Sequence, residues 1–240
     1  MRIDFSSLAL PPETIERLRE QGAMLLLRFF SKAEYADEFM AGRIRFGHLL
    51  GYRDTGEARE DANEGARVEV GDFQNAVLWV GGIQLLPLSA DQGRGTLTSK
   101  LTYPESEFLY VCSFAGLRES SCAPTVDVAH LVKENKKFGG KCVIIPDGLT
   151  FFQRLVEAAK DEDRLFAGPV EYHDPTASTA TEQRLWDKKP HLRYAFRKTR
   201  DYQPEQEYRI VLERKPPRKK EMYLHVPPLS DIAYVKDIGI

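Results

Sequence analysis

A chain of 240 residues with 42% hydrophobic and 29% charged side chains has the composition of an ordinary globular protein and can bury a sizeable core. Its formal net charge of -2 excludes a global attraction to nucleic acid or anionic membranes, so any such role must rest on local patches. Three cysteines, Cys112, Cys122 and Cys142, are odd in number and lack CxxC spacing. That argues against a disulfide framework or a zinc site and for reduced thiols.

No apolar stretch approaches ~20 residues, so no spanning helix is expected. Residues 1–18 carry acidic side chains and lack the apolar core of a signal peptide. The expectation is a cytoplasmic protein with no membrane partner.

In chain order, Pro11, Pro12 and Glu13 open a predicted helix over residues 11–20, stopped at Gly22. The run AMLLLRFF, residues 23–30, predicts a central strand. Ser31 then caps a predicted helix over 32–41, with Glu34 at the capping-box position and Gly42 as breaker. Residues 43–48 alternate as a strand. A charged, glycine-containing loop is expected over 51–66.

Strands follow at 67–73 and at 76–88, the second broken by Gly81 and Gly82, and residues 89–95 form a turn. Residues 97–103 and 107–114 are expected to be a pair of strands. Helical patterns at 126–136 and 149–160 flank a strand at 141–145. A short strand at 170–173 and a helix at 179–188 precede closing strands at 191–197, 208–213, 222–226 and 232–235. Strands outnumber helices and do not alternate with them, and no linker divides the chain. A single α+β domain is expected over residues 1–240. No dinucleotide fingerprint or Walker-type loop is present.

Several residues stand out as site candidates. Glu205 and Glu207 flank Gln206 at the mouth of the apolar run Tyr208-Arg209-Ile210-Val211-Leu212. In a strand, side chains two apart share a face, so the carboxylates would stand together and raise at least one pKa. Arg28 is the lone charge in its strand, where it fits either a bidentate anion clamp or a structural salt bridge. Phe46, Gly47 and His48 end the second strand, and Tyr52 and Arg53 begin the charged loop. They fit a nucleotide-contacting rim, or a plain strand end with a surface histidine.

The acidic residues between Asp54 and Glu64 lack calcium-loop spacing and are interspersed with arginines, so no metal is expected. Ser113 ends an apolar strand without a GxSxG elbow, and fits a ligand-bonding hydroxyl rather than a nucleophile. Arg214, Arg218, Lys219 and Lys220 belong to a basic turn that fits nucleic-acid phosphates or a solvated hairpin tip.

The order LLLRFF, SKAEYADEFMAG, RIRFGH and a late EQEYRIV resembles the ADP-ribosyltransferase fold, in which NAD sits in a cleft between two small β-sheets. The resemblance implies two small, mostly antiparallel sheets with flanking helices. It also implies NAD as substrate, Arg28 as holder of the ribose or phosphate, and Glu207 as the ribose-orienting carboxylate of an ExE motif with Glu205. The serine-threonine-serine strand of one branch is absent, with Ser113 a partial substitute, and the other branch has a histidine where Arg28 stands.

Most of the chain also resembles a family of bacterial proteins of unassigned function that share YRD, NEG, a CSF-like strand end and EQEYRIV. These are Tyr52-Arg53-Asp54, Asn63-Glu64-Gly65, Cys112-Ser113-Phe114 and residues 205–211 here. The function expected is a mono-ADP-ribosyltransferase or NAD glycohydrolase, with a protein or nucleic-acid acceptor. The alternative is a non-catalytic nucleotide- or nucleic-acid-binding module of bacterial or phage origin. A metal-dependent nuclease ranks last.

Overall fold

The most apolar run of the sequence becomes the middle of a sheet. In the computed structural model, which describes residues 24–52, 65–73, 77–80, 83–87, 95–118, 128–174, 190–215 and 220–239, strand β1 is Met24–Phe30. Helix α1, Ala33–Met40, ends where Gly42 at φ 87 turns the chain into β2, Arg43–His48. Strands β3, Ala66–Phe73, β4, Val77–Val80, β5, Ile83–Pro87, and β6, Gly95–Thr102, come next. They form two antiparallel pairs, β3 with β6 and β4 with β5.

Strand β7, Leu109–Arg118, is followed by helix α2, Val128–Asn135, strand β8, Lys141–Ile145, and helix α3, Gly148–Ala158. Strands β9, Arg164–Pro169, and β10, Glu171–His173, precede helix α4, Pro190–Ala195, and β11, Arg197–Thr199. The remaining strands are β12, Glu207–Glu213, β13, Glu221–His225, and β14, Tyr234–Asp237.

Eight of these strands make one antiparallel sheet, ordered β13-β2-β7-β1-β8-β14, with β12 on the other edge of β7 and β9 beyond it. The α+β expectation holds in this form. The sheet forks at β7. Its first residues pair with β2 through Val111 and Tyr110, and its last residues pair with β1 from Ala115 to Arg118. On the opposite edge β12 pairs with β7 throughout, from Glu207 opposite Ala115 to Glu213 opposite Leu109.

Alternation divides the side chains between two faces. Leu26, Phe30, Phe46, Cys112, Phe114 and Ile210 pack against Phe39 of α1 and Phe151 of α3. Phe39 lies within 5.5–6.3 Å of the rings of Phe30, Phe114 and Phe151, so it anchors α1. The other face carries two separate clusters. Leu25, Leu27, Phe29 and Ala115 pack on α2, and Val111 and Val211 pack on Leu192, Ala195 and Phe196 around α4. The gap between those two clusters lies over the fork.

Several expectations are corrected. Residues 190–195 form a helix, not a strand. Leu192, Ala195 and Phe196 recur at helical spacing and bury one stripe together. Strand β6 pairs with β3 rather than β7, because a 3-10 turn over Pro104–Phe108 redirects the chain between them. Lys32, not Ser31, is the N-cap of α1, and no side chain bonds there. Strand β9 escaped notice because it is a half-exposed edge strand without clean alternation. The predicted helices over 11–20 and 179–188, the loop over 53–64 with Arg53, and Arg218 and Lys219 lie outside the described residues. Among the described residues no helix is long and apolar enough to cross a membrane.

Candidate functional site

Glu207 opens β12 directly opposite Ala115, which is itself opposite Leu27 of β1. Directly paired residues point to one face, so Glu207 joins the Leu27 and Ala115 side of the sheet. Arg209, two residues on, shares that face and grips the carboxylate in a fork. Its Nε lies 2.7 Å from Oε1 and its Nη2 3.2 Å from Oε2. A further guanidinium N–H donates to the carbonyl of Ala195, which ties the site to α4.

Glu205 reaches the same place by a different route than strand alternation. It ends a 3-10 turn over Arg200–Glu205, and Gln206 at φ 45 reverses the backbone before β12 begins. Gln206 is the one non-glycine residue with positive φ among the described residues. Two backbone bonds hold it, from its own N–H to Gln203 and from Gly116 N–H to its carbonyl. The repulsion expected between the two glutamates is relieved by Lys198 on β11. Its Nζ lies 3.3 Å from Glu205 and 3.0 Å from Glu207. The other oxygen of Glu205 takes Lys137, at 2.7 Å.

The carboxylate pair was expected to hold at least one raised pKa, and for Glu207 the direction is the opposite. Burial opposes its ionisation, but the charges of Arg209 and Lys198 and hydrogen bonds from Arg209 and Ser113 outweigh that penalty. Glu207 is therefore held well below the usual carboxylate range and is an anion at neutral pH. Tyr172 fixes its backbone, accepting from Glu207 N–H at 2.7 Å. Burial raises the Tyr172 phenol well above its usual value, so it stays neutral.

These groups form the polar floor of a pocket holding about 590 Å³ of free space, the solvent at its mouth included. That is within the usual range for small-molecule sites. Leu27, Phe29, Ala115 and Phe138 make an apolar wall, with Asn135 on the same side. Ser113, Lys198, Glu205, Glu207 and Arg209 supply the polar part, and Tyr52 also lines it. Gly47 makes room for that tyrosine, since a Cβ there would collide with its hydroxyl. The space beside Gly47 is thus taken by Tyr52 itself.

Of the expected site residues, Glu205, Glu207, Ser113 and Tyr52 meet in this pocket. Arg28 does not. As the neighbour of Leu27 it points to the opposite face, with its guanidinium 5.2–5.6 Å from the ring centres of Phe114, Phe39 and Phe30. Its Nη1 donates to the carbonyl of Ser113 (3.0 Å) and to Cys112 Sγ. Ser113 lies in the fork, between the parts of β7 that pair with β2 and β1. Arg28 therefore supplies a donor where no strand does. No carboxylate lies within ion-pair distance of it among the described residues, so the expected salt bridge to a late glutamate is also not formed.

Phe46 belongs to the core beside Arg28. His48 faces Tyr110 and bonds the Glu107 carbonyl at 3.0 Å through Nε2. Arg214 is withdrawn from any nucleic-acid surface, being buried in an ion pair with Asp163, while Lys220 is exposed.

Sequence reasoning missed Lys198, Asn135 and Tyr172. It also missed the pairing of Arg209 with Glu207, although the signal for it was present, since residues two apart in a strand share a face. No family model, curated protein or solved structure matches the chain.

Proposed function

We propose that this chain cleaves the nicotinamide–ribose bond of NAD, as a mono-ADP-ribosyltransferase or NAD glycohydrolase. The observation that carries the reading is Glu207, a buried and ionised carboxylate on the floor of a ligand-sized pocket beside Ser113. Breaking the bond leaves its electrons on nicotinamide and positive charge at the anomeric carbon. A fixed anion in a low-dielectric pocket stabilises that charge without reorganising. The Arg209 and Lys198 cations hold Glu207 in its anionic form, so its role is electrostatic and orienting. Glu205 stands next to it to receive the proton of the water or acceptor hydroxyl that bonds to the anomeric carbon. Lys198, a cation of the pocket beside Arg209, takes the role that the resemblance implies for Arg28.

The test is release of nicotinamide from NAD with protein, DNA and RNA acceptors. Glu207→Gln should lower the rate by about 10²–10³-fold, the scale of one lost electrostatic stabiliser. No nicotinamide with any acceptor would overturn the proposal.

A second reading is a non-catalytic nucleotide-binding module. One observation favours it: Arg209, Lys198 and Lys137 already occupy the oxygens of both carboxylates, as in a structural ion-pair network. In that case NAD or a related nucleotide binds, no nicotinamide is released, and Glu207→Gln changes stability only.

A further inference from the structure

Asn135 is the last residue of α2, 3% exposed, and lines the apolar side of the pocket. Its amide nitrogen donates to two carbonyls, Leu131 at 3.0 Å and Glu205 at 3.2 Å. Those acceptors fix the orientation of the amide, because a flipped side chain would set oxygen against oxygen twice. Oδ1 is therefore turned away from both carbonyls. Among the described residues no group donates to it, and it is not one of the sealed atoms left without a partner in the core.

Asn135 stands where two kinds of surface meet. Leu27, Phe29, Ala115 and Phe138 offer an apolar and aromatic surface that packs with α2, and Ser113, Lys198, Glu205, Glu207 and Arg209 offer charge and hydrogen bonds. A flat ring bearing an N–H donor suits the first, and a sugar suits the second. Holding the end of α2 uses only the donors of Asn135 and leaves the oxygen spare.

We infer that Asn135 is a ligand-reading residue whose side-chain carbonyl accepts an N–H from a primary carboxamide on an aromatic ring. The inference rests on the NAD reading and extends it: the ring is nicotinamide, and Asn135 distinguishes its amide from a carboxylate or ketone. Removing the ligand's donor leaves a buried acceptor unpaired, and a site built around such a bond rejects the analogue strongly.

The experiment is an NMR titration of the whole chain, wild type and Asn135→Ala, with nicotinamide, nicotinate and the methyl ketone in which a methyl replaces the amide nitrogen. Wild type should bind nicotinamide about tenfold or more tightly than either analogue, and Asn135→Ala should bind the three within about twofold of one another. The comparison of nicotinamide with the ketone on wild type alone keeps the test valid if the variant folds poorly. Equal binding of all three by wild type, or no binding of nicotinamide, would overturn the inference. So would a variant that weakens all three equally, which marks a purely structural role. Nicotinamide release from NAD is scored separately, so loss of the amide preference with NAD cleavage intact removes Asn135 and leaves the proposed reaction standing.

Discussion

Arg28 and Glu207 lie on opposite faces of one sheet, although only the width of β7 separates their strands. Leu27 and Glu207 are both direct partners of Ala115, from its two edges, so the residue beside Leu27 must point the other way. The guanidinium packs among Phe30, Phe39 and Phe114 while the carboxylate lines the pocket.

Arg28→Met should accordingly leave nicotinamide release within about threefold of wild type and change unfolding free energy by less than about 1.5 kcal/mol. A buried cation without a carboxylate partner carries a desolvation cost that an apolar side chain of similar length avoids. Urea denaturation and the release assay check both halves. A loss beyond tenfold in release with stability intact would put Arg28 back in the site.

Breaking the Arg209 clamp should be far more damaging. Arg209→Leu leaves Glu207 buried with one cation fewer, and the expected loss is about 3–5 kcal/mol in equilibrium unfolding. The pH dependence follows from the lowered carboxyl. Glu207 contributes stability in full above its unfolded value, near the ordinary glutamate value of 4.5. That contribution shrinks as pH falls below this value and vanishes only once pH passes the lower folded value. Glu207→Gln should remove this part of the acid slope, and an unchanged slope would contradict the ion-pair assignment.

Gln206 holds the two glutamates in place through a left-handed backbone. Glycine should be tolerated there or stabilise by up to about 1 kcal/mol, since the conformation costs it nothing. Valine should cost about 1–3 kcal/mol, and it should loosen Glu205 from Lys198 as well. Thermal unfolding of Gln206→Gly and Gln206→Val gives the ranking. Equal melting temperatures would show that the turn carries no strain.

Gly47 and Tyr52 should behave as a coupled pair. Gly47→Ala drives a methyl into the Tyr52 hydroxyl, so the tyrosine must leave its place at the pocket edge. Stability should fall by about 1–3 kcal/mol. In a Tyr52→Ala background the same change should cost much less, and a double-mutant cycle measures the difference. Additive effects would mean the two side chains do not meet.

Much of the strand framework was legible because apolar alternation and its breakers are local. The second strand ends at His48 as its glycine and charged neighbours suggest, and β12 follows the apolar run after Glu207. The segment 191–197 was misread because seven residues of mixed polarity fit both periods, and only packing on Val211 and Leu109 selects the helix. Lys198 was invisible for a related reason. It becomes a site residue only when β11 and β12 come together around it.

The sequence by itself determined that the protein is α+β, that Glu207 opens a late strand, and that Arg28 lies in a buried one. The face of Arg28 was beyond it. Strand β1 is apolar on both sides, so its alternation carries no polarity to mark which side meets the pocket. Register decided that, by setting Leu27, Ala115 and Glu207 in one row and leaving Arg28 to the aromatic core. The turn at Gln206 likewise brought Glu205 to Lys198, because a single left-handed residue redirects a side chain in a way that no periodicity records.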